Sequence, residues 1–421
     1  MPFQPGTSNR TALRYVPEVV FGTTPANPVF KELRYTGESM NFNQTSIVSN
    51  EIRADRNTGD SIRVDADVTG DINAELSFGT FDDLIAAALC SSFPTPPAGT
   101  APGTAAATAG AGTLPAATYY YQVTAIGATG VESLPTSEMS LAAGANTGVN
   151  VNWTTAAGAT GYKIYGRVTG GTKRLLATVG VVLTWLDNGS ITPSGPTIPV
   201  TNTSSIRNGT SILSFTFQKH FQDLAVPVFQ LFPGVRIGGM NLDFQTGQIL
   251  TGSFNVMGLS ATVGTSQVSG ATIVPLGANQ SVLNSVTNLT TIQKNGVTMA
   301  ASMKSMTMAL NNNLRGQKAI GTLGNKGVAL GRCEITGNIE LYFEDLVEYN
   351  SFINASYFSL GFRLADPNGT DYYDVLLPRV KYETGTVVAG GLDQDLMISG
   401  TYRAVYDASE AAMIRINKVD A

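Results

Sequence analysis

From Ile62 to Phe78 the chain reads I-R-V-D-A-D-V-T-G-D-I-N-A-E-L-S-F. Ile62, Val64, Ala66, Val68, Ile72, Ala74, Leu76 and Phe78 share one parity; Arg63, Asp65, Asp67, Thr69, Asp71, Asn73, Glu75 and Ser77 share the other. Successive side chains of an extended strand point to opposite faces, so this alternation predicts one long strand with a buried and a wet side. Much later the pattern returns, with Cys333, Ile335, Ile339, Leu341 and Phe343 against Arg332, Glu334, Thr336, Asn338 and Glu340. The phrases "VTGDINAELSF" and "ITGNIELYF" are near copies.

The echo extends on both sides. "FDDLIAAAL" follows the first strand and "EDLVEYNSFI" the second, each a short helical stretch with acidic residues nearby. Further on, "FPGVRI" (Phe232 to Ile237) matches "LPRVKY" (Leu377 to Tyr382), and "LTGSFNVMG" (Leu250 to Gly258) matches "ISGTYRAVY" (Ile398 to Tyr406). Upstream, "SMNFNQTSIVSNEIRADRNTGD" and "SMTMALNNNLRGQKAIGTLGNKG" each read as a strand giving way to a polar, Asn/Gly-rich loop. Four matches in one order predict a duplicated domain.

The first copy is interrupted. "SSFPTPPAGTAPGTAAATAGAGT" and "GPTIPVTNTSS" are linker-like, too small and polar to build a core. Between them "YYYQVTAIG", "VNVNWTTAAGATGYKIYGR", "RLLATVG" and "LTWLDNG" predict short alternating strands of a small β-sandwich, similar to a fibronectin-III or immunoglobulin-like domain. The expected division is an N-terminal arm at 1–32, a first copy at 33–95 and 205–262, an insert at 96–204, a linker at 263–300 and a second copy at 301–421.

Composition agrees with a β-rich chain. Only 14% of the 421 residues are charged, too few for the wet faces of long helices. A net charge of −5 argues against attraction to nucleic acid or anionic lipid. No window approaches the eighteen or so apolar residues of a membrane helix. "MPFQPGTSNR" lacks a basic-then-apolar start, so no secretory signal is expected and the Asn-x-Ser/Thr triplet at Asn208 carries no glycan. Cys90 and Cys333 are the only cysteines and form no disulfide framework, which fits a reducing cytosol.

Catalytic chemistry finds no foothold. The one histidine, His220, has no marked nucleophile or orienting carboxylate, and the cysteine and histidine count excludes familiar zinc spacings. "DPNGTD" (Asp366 to Asp371) lacks the downstream acid of a calcium loop and predicts a hairpin turn. "GTLGNKG" (Gly321 to Gly327) lacks the Lys-Ser/Thr ending and following helix of a phosphate loop. Neither an enzyme nor a cofactor is expected. Asp65, Asp67, Asp71 and Glu75 form a stripe along one strand face, either a solvated surface or a face exposed for an electrostatic purpose.

The run "SNEIRADRNTGDSIRVDADVTGDINAELSFGTFDDLIAAAL", with the order of strands, loops and helix around it, resembles the tail tube proteins of long, non-contractile-tailed bacteriophages. The likeness covers 33–95, 205–260 and 300–410. It implies a mostly β fold: two tandem tube-type β-sandwich or barrel domains, each with a short helix, plus the inserted immunoglobulin-like or fibronectin-III-like sandwich. It implies a structural virion protein, made in the host cytoplasm, whose stacked rings form the conduit for genome ejection. Partners would be further copies of the chain, the tape measure, tail terminator and tail tip proteins, and double-stranded DNA passing without specific binding; no membrane is implied. Members mostly carry one tube domain and form six-membered rings, so two domains per chain imply pseudo-hexameric rings of three. On that footing Asp65, Asp67, Asp71, Glu75, Glu334 and Glu340 are the candidate lumen-facing acids. The N-terminal arm and the loops Asn43–Asp60 and Asn311–Gly327 would contact the next ring through Arg53, Arg56, Arg315 and Lys318. The competing expectation is an extracellular β-rich adhesin or carbohydrate-binding protein.

Overall fold

The computed structural model describes residues 6–93, 106–127, 132–167, 173–193, 195–198, 202–277, 281–299, 301–388 and 391–420. These fall into two compact units, one within Met1–Ser92, Ile206–Gly369 and Asp374–Ile416, the other within Phe93–Ser205, Thr370–Tyr373 and Asn417–Ala421.

In the first unit the long alternating segments become strands. In chain order they are β1 (Asn41–Val48), β2 (Ser61–Glu75), β3 (Val228–Gln245), β4 (Thr251–Gly258), β5 (Met303–Asn311), β6 (Glu334–Tyr342), β7 (Tyr372–Val388, from Asp374 onward in this unit) and β8 (Met397–Ala404). Helices α1 (Asp82–Ala88) and α2 (Val347–Ile353) follow β2 and β6. All eight strands join antiparallel in the order β1–β2–β4–β3–β5–β6–β8–β7.

The second four strands follow the order of the first four, and their registers correspond. Ile72 lies opposite Phe254 as Ile339 lies opposite Gly400. Bulges fall at Gly238, after the "FPGVRI" phrase, and at Glu383, after "LPRVKY". "LTGSFNVMG" and "ISGTYRAVY" are two residues out of step: Gly252 faces Ala74, whereas Gly400 faces Ile339, the counterpart of Ile72. A slip of two leaves every side chain on its own face, so the hydrophobic alternation tolerates it.

The shared Thr-Gly of the two phrases has a steric cause. A methyl added at Gly70 would lie 2.6 Å from the Ser39 carbonyl carbon and closer still to Met40 N and Cα; one at Gly337 would lie 2.5 Å from Tyr402 Oη and closer to Thr307 O. Beside each glycine a hydroxyl takes a strand amide: Asp71 N–H donates to Ser39 Oγ (2.9 Å) and Asn338 N–H to Thr307 Oγ1 (3.0 Å). Each helix is also tied down alike. Asp83 accepts from Tyr15 Oη (2.9 Å) and Lys31 Nζ (2.6 Å), and Glu348 from Tyr382 Oη (2.9 Å) and Lys294 Nζ (2.7 Å).

The structure corrects several boundaries. The N-terminal arm 1–32 is not a polar arm: Thr11–Pro17 is a strand paired with Phe215–Phe221, burying Leu13, Tyr15 and Val16. Nor is 263–300 only a linker, because Leu289–Lys294 pairs with Tyr357–Ala365. These two strands anchor comparable places in the two halves, so each half begins earlier than its alternating phrase announces. Of the loop expected at Asn43–Asp60, residues up to Val48 belong to β1. Within Asn311–Gly327 and just beyond, Arg315–Gln317 and Gly327–Ala329 pair as a small hairpin. Finally, Ile62 and Val64, expected to be buried with the rest of their parity, are 56% and 49% exposed: the β1–β2 hairpin runs past the edge of the core that covers Ala66, Val68 and Ile72.

The second unit holds a four-stranded sheet of Arg174–Val179, Ala159–Gly166, Ala117–Gly127 and Met139–Ala143, and a three-stranded sheet of Thr184–Asp187, Thr147–Asn152 and Ala106–Leu114. Tyr121, Val123, Val149, Val151, Trp153, Tyr162 and Ile164 share its core. Ala106–Leu114, read from composition as linker, is a strand that pairs antiparallel with Thr147–Asn152, with only Leu114 of it buried. The rest of that linker, 94–105, lies outside the described residues.

Candidate functional surface

The feature built on the largest scale is the polar face of the eight-stranded sheet. Period-two alternation sends Val68, Ile72, Phe254, Met240, Leu242, Met308, Leu310, Ile335 and Ile339 to the buried side. Asn41, Thr69, Asn73, Ser253, Asn241, Thr307, Asn338 and Thr401 therefore go to the other side. Cross-strand polar pairs hold this face: Asn43 Nδ2 donates to Thr69 Oγ1 (3.4 Å), Asn241 Nδ2 to Ser253 Oγ (3.1 Å), and Thr384 and Thr401 hydroxyls meet at 2.7 Å. Amides and hydroxyls dominate. The strand carboxylates Asp65, Asp67, Asp71, Glu75, Asp243, Glu334 and Glu340 share this parity with the strand cations Arg236, Arg379, Lys381 and Arg403, and Lys304 reaches it to pair with Glu340.

The candidate acids share this face but differ in surroundings. Asp71 is exposed, and Glu75 is half-buried at the rim of a groove of 390 Å³ that Arg10, Glu32, Arg34 and Tyr35 also line. Asp65 and Asp67 are both taken by Lys318, at 2.8 and 2.5 Å, and Lys318 also donates to Ala66 O (2.8 Å). The Lys318 hydrogen bond holds the Asp65 carboxyl below its ordinary range. Glu334 is bonded by Arg332, which likewise lowers its carboxyl, and lies 3.9 Å from Arg403. Glu340 pairs with Lys304 at 3.3 Å.

Of the four candidate loop cations, Lys318 is thus engaged within its own chain. Arg53 is bidentate to Asp55 (3.0 and 2.8 Å) in the same loop, and this pushes the Asp55 carboxyl down to about 2. Arg56 and Arg315 are exposed. No arrangement of alternating residues could have announced the Lys318 contact, which joins positions some 250 residues apart.

Other chemistry stays bland. His220 stacks on Phe229 (4.2 Å between centroids) and sits 3.3 Å from Arg14 Nη1, where burial and the guanidinium push its pKa down. A neutral ring nitrogen there accepts from Arg14. Residues 366–371 form the turn between Tyr357–Ala365 and β7, with Gly369 at φ 73°. Gly327–Ala329, a strand, follows the "GTLGNKG" loop. Among the described residues no helix is long and apolar enough to cross a membrane, and no group of three or more His, Cys, Asp or Glu side chains could hold a metal ion.

Compared with known proteins, residues 8–404 match a family model described as phage tail tube protein. No curated protein matches the chain.

Proposed function

The chain belongs to the phage tail tube protein family, and we propose that it builds the tube as rings of three chains, each chain supplying two ring units. It is a structural protein of the tail, and this standing leaves the alternative of an adhesin without support. The repeated strand order and register, joined within one chain by the β3–β5 pairing, carries the stoichiometry. Where one chain already presents unit after unit at a fixed angle, closure by rotation needs half as many chains as single-unit subunits would.

In this reading the polar face lines the bore. A conduit for a polyanion must not bind phosphates, and a surface of amides and hydroxyls on which Lys304, Lys318 and Arg403 already pair with carboxylates of their own chain offers few free cations to exchange for counterions. The DNA passes without specific contacts during ejection. The second unit is an inserted immunoglobulin-like or fibronectin-III-like module with no part in the ring, in keeping with its separate core. Tape measure, tail terminator and tail tip proteins would be its neighbours in the virion.

Native mass measurement of isolated rings tests the proposal: three chains are expected, and six would overturn it. Deleting about residues 98–203 should leave ring formation intact, since long surface insertions cost little loop entropy.

A further inference from the structure

The two cysteines stand in different halves of the first unit, and the fold brings them to one place. Cys90 follows α1, where the chain leaves the helix at φ 49°. Its N–H donates to Ala87 O (3.0 Å), Ser91 N–H donates to Ala86 O (3.0 Å), and its own carbonyl accepts from Ser211 N–H (2.8 Å). The residue is pinned on three sides. Cys333 stands one residue ahead of β6. The last pair of the β5–β6 ladder is Asn311 with Glu334. One step further Asn312 comes opposite Cys333, and opposed residues of an antiparallel pair send their side chains to the same face.

Asn312 ties the two places together. Its Nδ2 donates to Ala88 O (2.7 Å), two residues before Cys90, and its carbonyl accepts from Gly331 N–H (2.7 Å), two residues before Cys333. Its own N–H donates to Gly238 O (2.7 Å), where the β3–β5 seam ends. Cys333 therefore lies beside the one side chain that reaches across to the end of α1. Asn312 and Cys90 are buried and Cys333 is half-buried. The electrostatics agree. Burial pushes the Cys333 thiol up to about 11, and Cys90 adds to this more than Glu334, the next residue in the chain, does. Burial raises Cys90 too, against the opposing pull of Arg236.

We propose that Cys90 and Cys333 form a disulfide that staples the first half of the unit to the second at the end of the β3–β5 seam. This goes beyond the tube reading and does not depend on the number of chains in a ring. The oxidant is a low-molecular-weight disulfide such as oxidised glutathione. Half-buried Cys333 loses its proton to solvent, and its thiolate attacks one sulfur of the oxidant; that S–S bond breaks and the leaving thiolate takes up a proton. Cys90 then loses its proton and attacks Cys333 Sγ, expelling the second small thiol. Two protein thiols are oxidised and one small disulfide is reduced to two thiols. Thiols raised by burial hold little thiolate at neutral pH, so both stay reduced while small thiols are in excess. Outside a cell that excess is gone. The bond then restrains the unfolded chain across a long loop.

The test incubates the full-length protein with oxidised glutathione at about pH 9, where thiolate is more plentiful. Intact mass and peptic peptides are read before and after reduction. Most chains should lose two hydrogens, yield a peptide joining the Cys90 and Cys333 segments, and keep single-chain mobility in non-reducing electrophoresis. The thermal midpoint should rise by at least about 5 °C, reversed by dithiothreitol. Cys333→Ser and Cys90→Ala should each lose both the link and the rise. Alanine is tolerated at position 90, because Ala355 takes the same φ of 49° at the same place after α2. Two glutathione adducts on one chain, links between chains, or thiols that stay free overturn the proposed bond. A link that leaves the midpoint unmoved overturns its role as a staple.

Discussion

Replacing Gly70 by alanine asks the fold for space it does not have. The new methyl would sit 2.6 Å from the Ser39 carbonyl carbon and nearer to Met40 N and Cα, all of them backbone. A flexible side-chain tip could swing away, but here β1 and the turn ahead of it must move. Met40 is fully buried, and Lys219 holds its carbonyl while also pairing with Glu38 at 2.6 Å. Overpacking typically costs 1–3 kcal/mol, and a clash confined to pinned backbone belongs at the upper end, about 3 kcal/mol. With each kcal/mol worth roughly 2–4 °C in a large domain, the thermal midpoint of the purified chain should fall by at least about 6 °C. Gly337→Ala should behave alike, because its methyl would meet Thr307 O and the Tyr402 ring. Gly37→Ala is the control: its methyl finds only Asn73 Nδ2, at 3.8 Å, so the change should stay within about 1 kcal/mol. Differential scanning fluorimetry on the three variants decides the matter. If Gly70→Ala melts with Gly37→Ala, the Thr-Gly of the repeated phrase has no steric basis.

The polar face offers a second check: Asp71→Lys with Asp243→Lys should leave tube assembly intact and slow genome ejection, because only charges within roughly 8 Å of the DNA escape screening. Phage of normal infectivity carrying both changes would place this face away from the bore. For Lys318, the lowered Asp65 carboxyl fixes the sign: its pairing stabilises the folded state above the ordinary carboxylate range near 3.9 and is lost as pH falls through the still lower folded value. Hydrogen exchange of 315–329, corrected for intrinsic rates, should therefore stay slow at neutral pH and quicken in acid below about 4, and Lys318→Ala should remove that dependence. An unchanged acid response in the variant would show that another group holds the loop. In the second unit, Asp187 is buried against Arg167 and accepts from Tyr121 Oη at 2.8 Å. Asp187→Ala leaves the half-buried Arg167 guanidinium and the buried Tyr121 hydroxyl without their carboxylate and should cost about 3 kcal/mol, read as faster proteolytic nicking within the insert; nicking at the wild-type rate would refute it.

Much of the architecture was legible in the residues. Period two in "IRVDADVTGDINAELSF" determined a strand and told its wet face from its dry one from Ala66 onward, and its return at Ile335 announced a second set of strands. The short helices were readable because "FDDLIAAAL" ends the alternation with small apolar residues behind two acids that favour a helix N-terminus. The candidate acids all lie on the wet side that the alternation announced. Alternation carries no information about which edge a strand offers to which neighbour, however, and that is where the tertiary structure decided. It joined β3 to β5, took Thr11–Pro17 and Leu289–Lys294 out of supposed arm and linker into the sheet, and let Ile62 and Val64 run past the core. It also brought Lys318 onto Asp65 and Asp67. A periodic pattern is a property of one strand and its two faces. Partners, edges and ion pairs are properties of chain segments brought together from hundreds of residues apart, and they exist only once the backbone has closed those distances.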